Sequence, residues 1–318
     1  MLYAGFDIGG TKCAVTLGRS AGANISILER RAIPTPATWQ EALEAMFTMA
    51  EAMMADAGVR VDACGFSCGG PLDAVRGVVL SPPNLPGWDC VPVTELAAKR
   101  FGVPAFLEND ANACALAEWR WGAGRGTQSM AFLTFGTGLG SGLILDGRLY
   151  RGANGNAGEI GHMRLSSFGP SGYGKEGSFE GFCSGGGLAQ IAQTLGRRAI
   201  QRGGRPAYFK GSWDTVTTRD VAMAAKAGDA SALEAFEVCG EKLGEGLSFM
   251  VDILNLECIV IGSVFARCEE LLRPAMERVM ARECLAPALE VVRVVPALLG
   301  ESIGDYAALC VAEYGMAV

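Results

Sequence analysis

Two short stretches constrain this chain more than any others: FDIGGTKCAV at 6–15 and LTFGTGLGSG at 133–142. Each runs a strand-like apolar segment into a glycine-rich turn and out into a second strand. Laid together, Asp7 matches Thr134, Gly9 matches Gly136 and Thr11 matches Gly138. The identity is weak, but a strand–glycine turn–strand unit opening two successive α/β halves predicts two related domains facing a cleft. The chain has 318 residues, half of them hydrophobic, enough for two cores of ordinary size.

A glycine turn lets backbone N–H groups approach a phosphate with no Cβ in the way. Each turn alone reads equally well as an ordinary hairpin. Neither is a Walker A loop, and neither fits the dinucleotide fingerprint G-x-G-x-x-G opening a helix. Two turns in the same relative position, the first preceded by Asp7, point to a nucleotide polyphosphate. Asp7 is placed to help hold Mg²⁺, directly or through water. Thr11 and Thr137 can donate hydroxyls.

The rest of the chain reads as α/β. Strands are expected in LYAGFD, KCAVTLG, NISILERRAI, VDACGFS, VPAFLEN, SMAFLTFG, SGLILDGRLYRG, LECIVIGS and LEVVRVV. Asp146-Gly147 marks a hairpin turn. In TWQEALEAMFTMAEAMMADAG, Thr38 and Glu41 have capping-box spacing. Leu43, Met46, Phe47, Ala50 and Met54 follow helical spacing there as core packing, and Gly58 can end the helix. Further helices are expected in VTELAAKRFG, DANACALAEWRWG, SALEAFEVCGEKLGEGLSFMVDILN and ESIGDYAALCVAEYG. A loop-rich insertion runs from about 152 to 187.

Several function classes are disfavoured. The net charge is −7 with no basic cluster, whereas a nucleic-acid surface needs clustered Lys and Arg. No apolar run approaches the ~18 residues of a membrane span. MLYAGFDIGG does not read as a signal peptide. The 11 cysteines include no C-x-x-C pair and read as reduced, mostly buried thiols of a cytoplasmic protein.

Asp110 stands between a strand and a helix, where the helix dipole favours an ionised carboxylate. It is either a plain helix N-terminal residue or the group that accepts a hydroxyl proton during phosphoryl transfer.

FDIGGTK, SPPNLPGW, ENDANA, FGTGLGSG and NAGEIGH, in this order and spacing, resemble the ROK family of sugar kinases and repressors. The resemblance runs from Asp7 to roughly Ala308. It implies an actin-like ATPase (ribonuclease H-like) fold, with ATP and a hexose bound between two α/β domains. The expected division is 1–115, completed by the C-terminal helix at about 302–318, and 116–301. Asp110 would be the base for the sugar 6-hydroxyl. Asn109, Glu159, His162 and Glu180 would hold sugar hydroxyls, and Gly70 would approach the sugar by its backbone. Gly9, Gly10, Thr11, Lys12, Gly136, Thr137, Gly138 and Gly262 would bind ATP, with Mg²⁺ near Asp7. Two departures stand out: Gly69 replaces a usual proline, and Ser263 replaces the second glycine of an IxxGG turn.

His162 is the only histidine. In most ROK members the equivalent residue binds zinc with three cysteines in C-x-C-G-x-x-G-C-x-E. Here Ser171, Tyr173 and Ser178 occupy those positions, so no structural zinc is expected. His162 is then better explained by a sugar hydroxyl, the competing reading being a structural histidine that packs the loop. Tyr173, Phe168, Phe179 and Phe182 are expected to form an apolar cluster supporting the loop.

The expected activity is therefore ATP-dependent phosphorylation of a hexose 6-hydroxyl, glucose first. N-acetylmannosamine or another hexose or N-acetylhexosamine is the alternative, and an idle sugar-binding protein ranks lower. A repressor would carry a DNA-binding segment, for which the six residues before Asp7 leave no room. A homodimer is expected, with no nucleic-acid or membrane partner.

Overall fold

The computed structural model describes residues 1–22 and 24–317. In chain order the first half comprises β1 (Leu2–Ile8), β2 (Lys12–Ala21), β3 (Asn24–Pro34), α1 (Trp39–Ala57), β4 (Ala63–Cys68), β5 (Leu72–Asp73), β6 (Val78–Val79), α2 (Val93–Phe101), β7 (Ala105–Asn109) and α3 (Asp110–Trp121). Next come β8 (Met130–Leu133), β9 (Ser141–Leu145), β10 (Arg148–Leu149), β11 (Ser171–Gly172), β12 (Lys175–Glu176), α4 (Phe179–Phe182) and α5 (Gly185–Gln201). The chain ends with α6 (Thr218–Lys226), α7 (Ala230–Leu254), β13 (Cys258–Ile261), α8 (Ser263–Glu283), α9 (Ala286–Leu289), β14 (Arg293–Pro296) and α10 (Ile303–Ala317).

Both main sheets have five strands, in the orders β3-β2-β1-β4-β7 and β10-β9-β8-β13-β14. The two orders correspond strand for strand. In the first sheet β1 pairs antiparallel with β2 and parallel with β4. In the second, β8 pairs parallel with β13, and β13 with β14. The repeat seen in FDIGGTKCAV and LTFGTGLGSG thus extends to the topology of two whole sheets.

The chain divides into two compact units. One contains 1–127, 142–157 and 298–318, and the other 128–141 and 158–297. In the first unit β1 and β4 are buried along nearly all their length, as central strands covered on both faces are. The edge strand β3 alternates in exposure. One core is built from Phe6, Phe66, Met46, Phe47 and Trp88, with Phe6 stacked on Phe66 at 4.7 Å. Tyr3 and Ala63 pack with Leu309 and Ala312 of α10 in a second cluster.

Local signals mostly act as expected. Thr38 and Glu41 form a reciprocal capping box on α1, and Gly58 closes the helix in the left-handed conformation at φ 64°. Asp146 and Gly147 both take positive φ, 50° and 68°, as a type I′ hairpin requires. One detail of the α1 stripe differs: Met53 is fully buried, whereas Met54 packs only partly against the core. Eight of the eleven cysteines are buried, and all are free. No helix among the described residues is long and apolar enough to cross a membrane.

Candidate active site

In the first unit, Asp7 lies near the end of β1, and the chain turns through Gly9 and Gly10 into β2. The Gly9 N–H donates to the Lys12 carbonyl at 3.1 Å. A Cβ on Gly10 would lie 2.5 Å from the Asn84 carbonyl oxygen, so only glycine fits beside that loop. Gly10, Thr11 and Lys12 are exposed, which leaves their polar groups open to a ligand.

Asp7 is half-buried. Burial, then the nearby negative charges of Asp305 and Asp110, push its carboxyl up to about 6. The close approach of α10 contributes, since a Cβ on Gly304 would sit 2.9 Å from Asp7 Oδ2. Asp305 is held by Arg30 Nε at 2.7 Å and by the Thr16 hydroxyl at 3.2 Å.

Asn109 ends β7 and caps α3. Its Oδ1 accepts from the Ala111 N–H at 3.0 Å, and Asp110 Oδ1 accepts from the same N–H at 2.8 Å. These bonds fix the turn and leave Asp110 Oδ2 outside them. Desolvation raises the Asp110 pKa, against the lowering effect of the Ala111 and Asn109 hydrogen bonds. The carboxyl is nevertheless open to solvent. It is therefore reachable by a ligand yet more basic than an ordinary aspartate. Gly69 and Gly70 border this turn: a Cβ on Gly69 would lie 3.9 Å from Asp110 Oδ2, and one on Gly70 would lie 3.5 Å from Asn109 Nδ2.

In the second unit, the turn between β8 and β9 is laced internally. Thr134 N–H donates to Gly140 O at 3.0 Å, and Gly136 N–H to Gly138 O at 2.9 Å. Thr137 at its tip is exposed. Glu180, in α4, is tied to this same turn, its Oε2 accepting from the Leu139 N–H at 2.9 Å. A Cβ on Gly138 would stand 2.6 Å from that oxygen. Glu180 thus joins the second glycine turn to the insertion. Gly262 is anchored by its N–H on Leu133 O at 2.9 Å. Ser263, where a glycine was anticipated, keeps the left-handed backbone at φ 48°. The glycine geometry survives, with a non-glycine residue bearing the strain.

Glu159 precedes a single turn of 3₁₀ helix, Ile160–His162, that ends on His162, and both are exposed. The His162 ring meets the Tyr173 ring edge-on at 5.3 Å, and Lys175 Nζ donates to the His162 carbonyl. The expected apolar cluster does not form as a whole. Phe179 and Phe182 are buried, but Phe168 is 75% exposed and Tyr173 70% exposed. The loop is held by hydrogen bonds instead. Ser171 exchanges two with the Gln190 amide, at 3.0 and 2.9 Å. The Ser178 hydroxyl accepts from Gly181 N–H at 3.0 Å and donates to Lys175 O at 2.9 Å. The Gly177 carbonyl accepts from Leu165 and Ser166, and Phe179 N–H donates to Met163 O at 2.7 Å. Ser171 and Ser178 are thus part of the hydrogen-bonding around the β11–β12 hairpin. Among the described residues no group of three or more His, Cys, Asp or Glu could hold a metal ion.

A sequence model of the ROK family matches residues 3–313. The chain belongs to the ROK family. It is 31% identical over 263 residues to a glucokinase of Streptomyces coelicolor, covering 82% of this chain and 81% of that one. The structure resembles a ROK hexokinase from Thermus thermophilus, with TM-score 0.80, 32% identity and coverage of 100% and 99%. It also resembles a ROK glucokinase from Streptomyces griseus in complex with glucose and AMPPNP, with TM-score 0.78, 30% identity and coverage of 99% and 100%. The fold is accordingly the α/β, actin-like ATPase fold anticipated for a ROK protein.

One residue beside these turns was not singled out in the sequence. Asn84, in SPPNLPGW, presents its carbonyl to Gly10, and its amide lies 3.7 Å from a Cβ built on Gly69. It therefore stands beside both the first glycine turn and the Asp110 region. SPPNLPGW carried part of the family resemblance, but only the fold shows which residues Asn84 borders.

Proposed function

We propose that this chain is an ATP-dependent sugar kinase that transfers the γ-phosphoryl group to the 6-hydroxyl of a hexose, glucose being the first candidate. The carrying observation is Asp110: it is fixed at the start of α3, open to solvent and raised in pKa by desolvation. Such a carboxylate accepts a proton more readily than an ordinary aspartate as a hydroxyl oxygen attacks phosphorus. Support comes from the ROK glucokinase that binds glucose and AMPPNP.

In this reading Asn109, Glu159, His162, Glu180 and the Gly70 backbone orient the sugar. Gly9, Gly10, Thr11, Lys12, Gly136, Thr137, Gly138 and Gly262 hold the nucleotide. Asp7 suits Mg²⁺, since a carboxyl pushed up to about 6 by burial and by negative neighbours is relieved by a hard cation that needs only one or two carboxylates. The bound cation would neutralise charge on the phosphates. The side chains position the hydroxyl, and Asp110 takes its proton.

The test is ADP release with Mg-ATP across hexoses and N-acetylhexosamines, with Asp110→Asn alongside. Sugar-dependent release should appear, and kcat should fall by roughly 10²–10⁴-fold in the variant. N-acetylmannosamine is the second substrate to try. No stimulation by any sugar would leave the idle sugar-binder as the better reading.

The protein is further proposed to be a cytoplasmic homodimer. Support comes from apolar residues exposed on one face of the second unit: Phe249 at 51%, Ile253 at 76% and Leu285 at 65%. Leu285 is brought to α7 by its N–H bond to Asp252 Oδ1 at 3.0 Å. Light scattering should return twice the chain mass, and Phe249→Glu with Ile253→Glu should halve it.

A further inference from the structure

Glu108 is the residue before the Asn109–Asp110 turn, and it is only 2% exposed. A buried carboxylate is costly unless its oxygens are filled. Here three donors fill them. Oε1 accepts from the Asn109 N–H at 3.0 Å and from Asn112 Nδ2 at 3.0 Å. Oε2 accepts from Arg151 Nε at 2.7 Å. Asn112 is itself buried.

The placement of these donors matters more than their number. One oxygen grips the residue before Asp110 and a side chain two residues after it. Asp110 is thus bracketed by a single acceptor. The peptide between Glu108 and Asn109 sets where both the Asn109 amide and the Asp110 carboxylate point, and Glu108 fixes that peptide from behind. The third donor, Arg151, follows β10, and its carbonyl accepts from the Ala157 N–H at 3.1 Å. The chain then runs on to Glu159 and His162. The ion pair therefore ties the turn bearing the proposed base to the start of the loop bearing proposed sugar ligands.

We infer that Glu108, locked by Arg151, is a positioning residue that holds Asp110 and Asn109 in their working orientation. This rests on the sugar-kinase reading of Asp110. A glutamine at 108 keeps an oxygen for Asn109 and Asn112 but turns a neutral amide toward the guanidinium. In Glu108→Gln, kcat should fall by about 10–100-fold, the usual consequence of displacing a reacting group by a fraction of an ångström to an ångström. The same substitution in an Asp110→Asn background should lower kcat by less than about 3-fold, because the proton-accepting carboxylate it orients is gone, and any remaining effect through Asn109 should appear in KM. Equal losses in both backgrounds, or no loss in the first, would overturn the inference.

Arg151→Met, at a more exposed position, offers a second route should Glu108→Gln fail to fold. It should reproduce the kcat loss, with partial recovery in Arg151→Lys. Hydrogen exchange of the segment 105–116 gives a readout independent of turnover. The amides of residues 109–112 should exchange faster in the variants while the other strands stay protected, and unchanged exchange would overturn the positioning role. If the wild-type chain releases no ADP with any sugar, the kinase reading fails by that result alone. The exchange data still decide whether Glu108 and Arg151 order the turn.

Discussion

At the scale of single residues, the candidate site is made of groups kept out of their comfortable state. Asp7 is the clearest case, its carboxyl pushed from 3.8 to about 6. A carboxyl whose folded pKa lies above its unfolded value favours folding most when protonated. That contribution is complete below about 3.8 and is lost as pH rises through about 6. Above this window the unliganded protein carries a cost of roughly 1–3 kcal/mol for the ionised group. Asp7→Asn should therefore raise the urea unfolding free energy by about that amount at pH 8 and by little at pH 4. An equal effect at both pH values would show that the charge is not responsible. Activity should move the opposite way and fall in the variant if Asp7 holds Mg²⁺ as proposed. Asp110 makes a parallel case in kinetics. Its pKa is raised, so the acid limb of kcat/KM should lie above the range of an ordinary aspartate. A limb at the usual aspartate position would argue against Asp110 as the base.

At the scale of elements, the insertion carrying His162 shows how backbone and hydroxyl hydrogen bonds hold a glycine-rich loop in shape. The Ser178 hydroxyl serves two partners, Gly181 N–H and Lys175 O, at 3.0 and 2.9 Å. Ser178→Ala should cost about 1 kcal/mol, the usual value of a helix-capping hydroxyl, read as a lower denaturation midpoint. EDTA should leave the wild-type midpoint unchanged, and elemental analysis should find no stoichiometric zinc. One zinc per chain would refute this account. The same loop marks a limit of legibility. Four aromatic residues in sequence proximity suggested a cluster, yet Phe168 and Tyr173 face solvent, because residue type does not say which side of a glycine-rich loop each ring takes. By contrast, the capping box of α1 and the Asp146-Gly147 turn were readable because their chemistry is local. The helices α5, α6 and α8 were not singled out. α5 opens on three glycines and α8 contains Pro274, features that weaken a helical pattern and that tertiary packing overrides.

At the scale of the whole molecule, the duplicated strand–turn–strand pattern suggested two related halves; the structure adds that their two sheets share a strand order, which places each glycine turn at the end of a central strand. What the pattern could not announce was which distant segments line each turn. Asn84 beside Gly10 and Glu180 beside Gly138 are long-range neighbours, and no local periodicity encodes them. If binding is built from many such contacts and the chemistry from the proposed base Asp110, the two should separate experimentally. A ligand at about 100 times its Kd adds roughly 2.7 kcal/mol to the folded state. For a chain of this size that raises Tm on the order of 4 °C. Glucose should produce a shift of that order in the wild-type protein and nearly the same shift in Asp110→Asn, despite the variant's lost turnover. A shift lost together with turnover would mean that Asp110 holds the sugar rather than only its proton. No shift in either protein would remove glucose as the substrate and direct the search to N-acetylhexosamines.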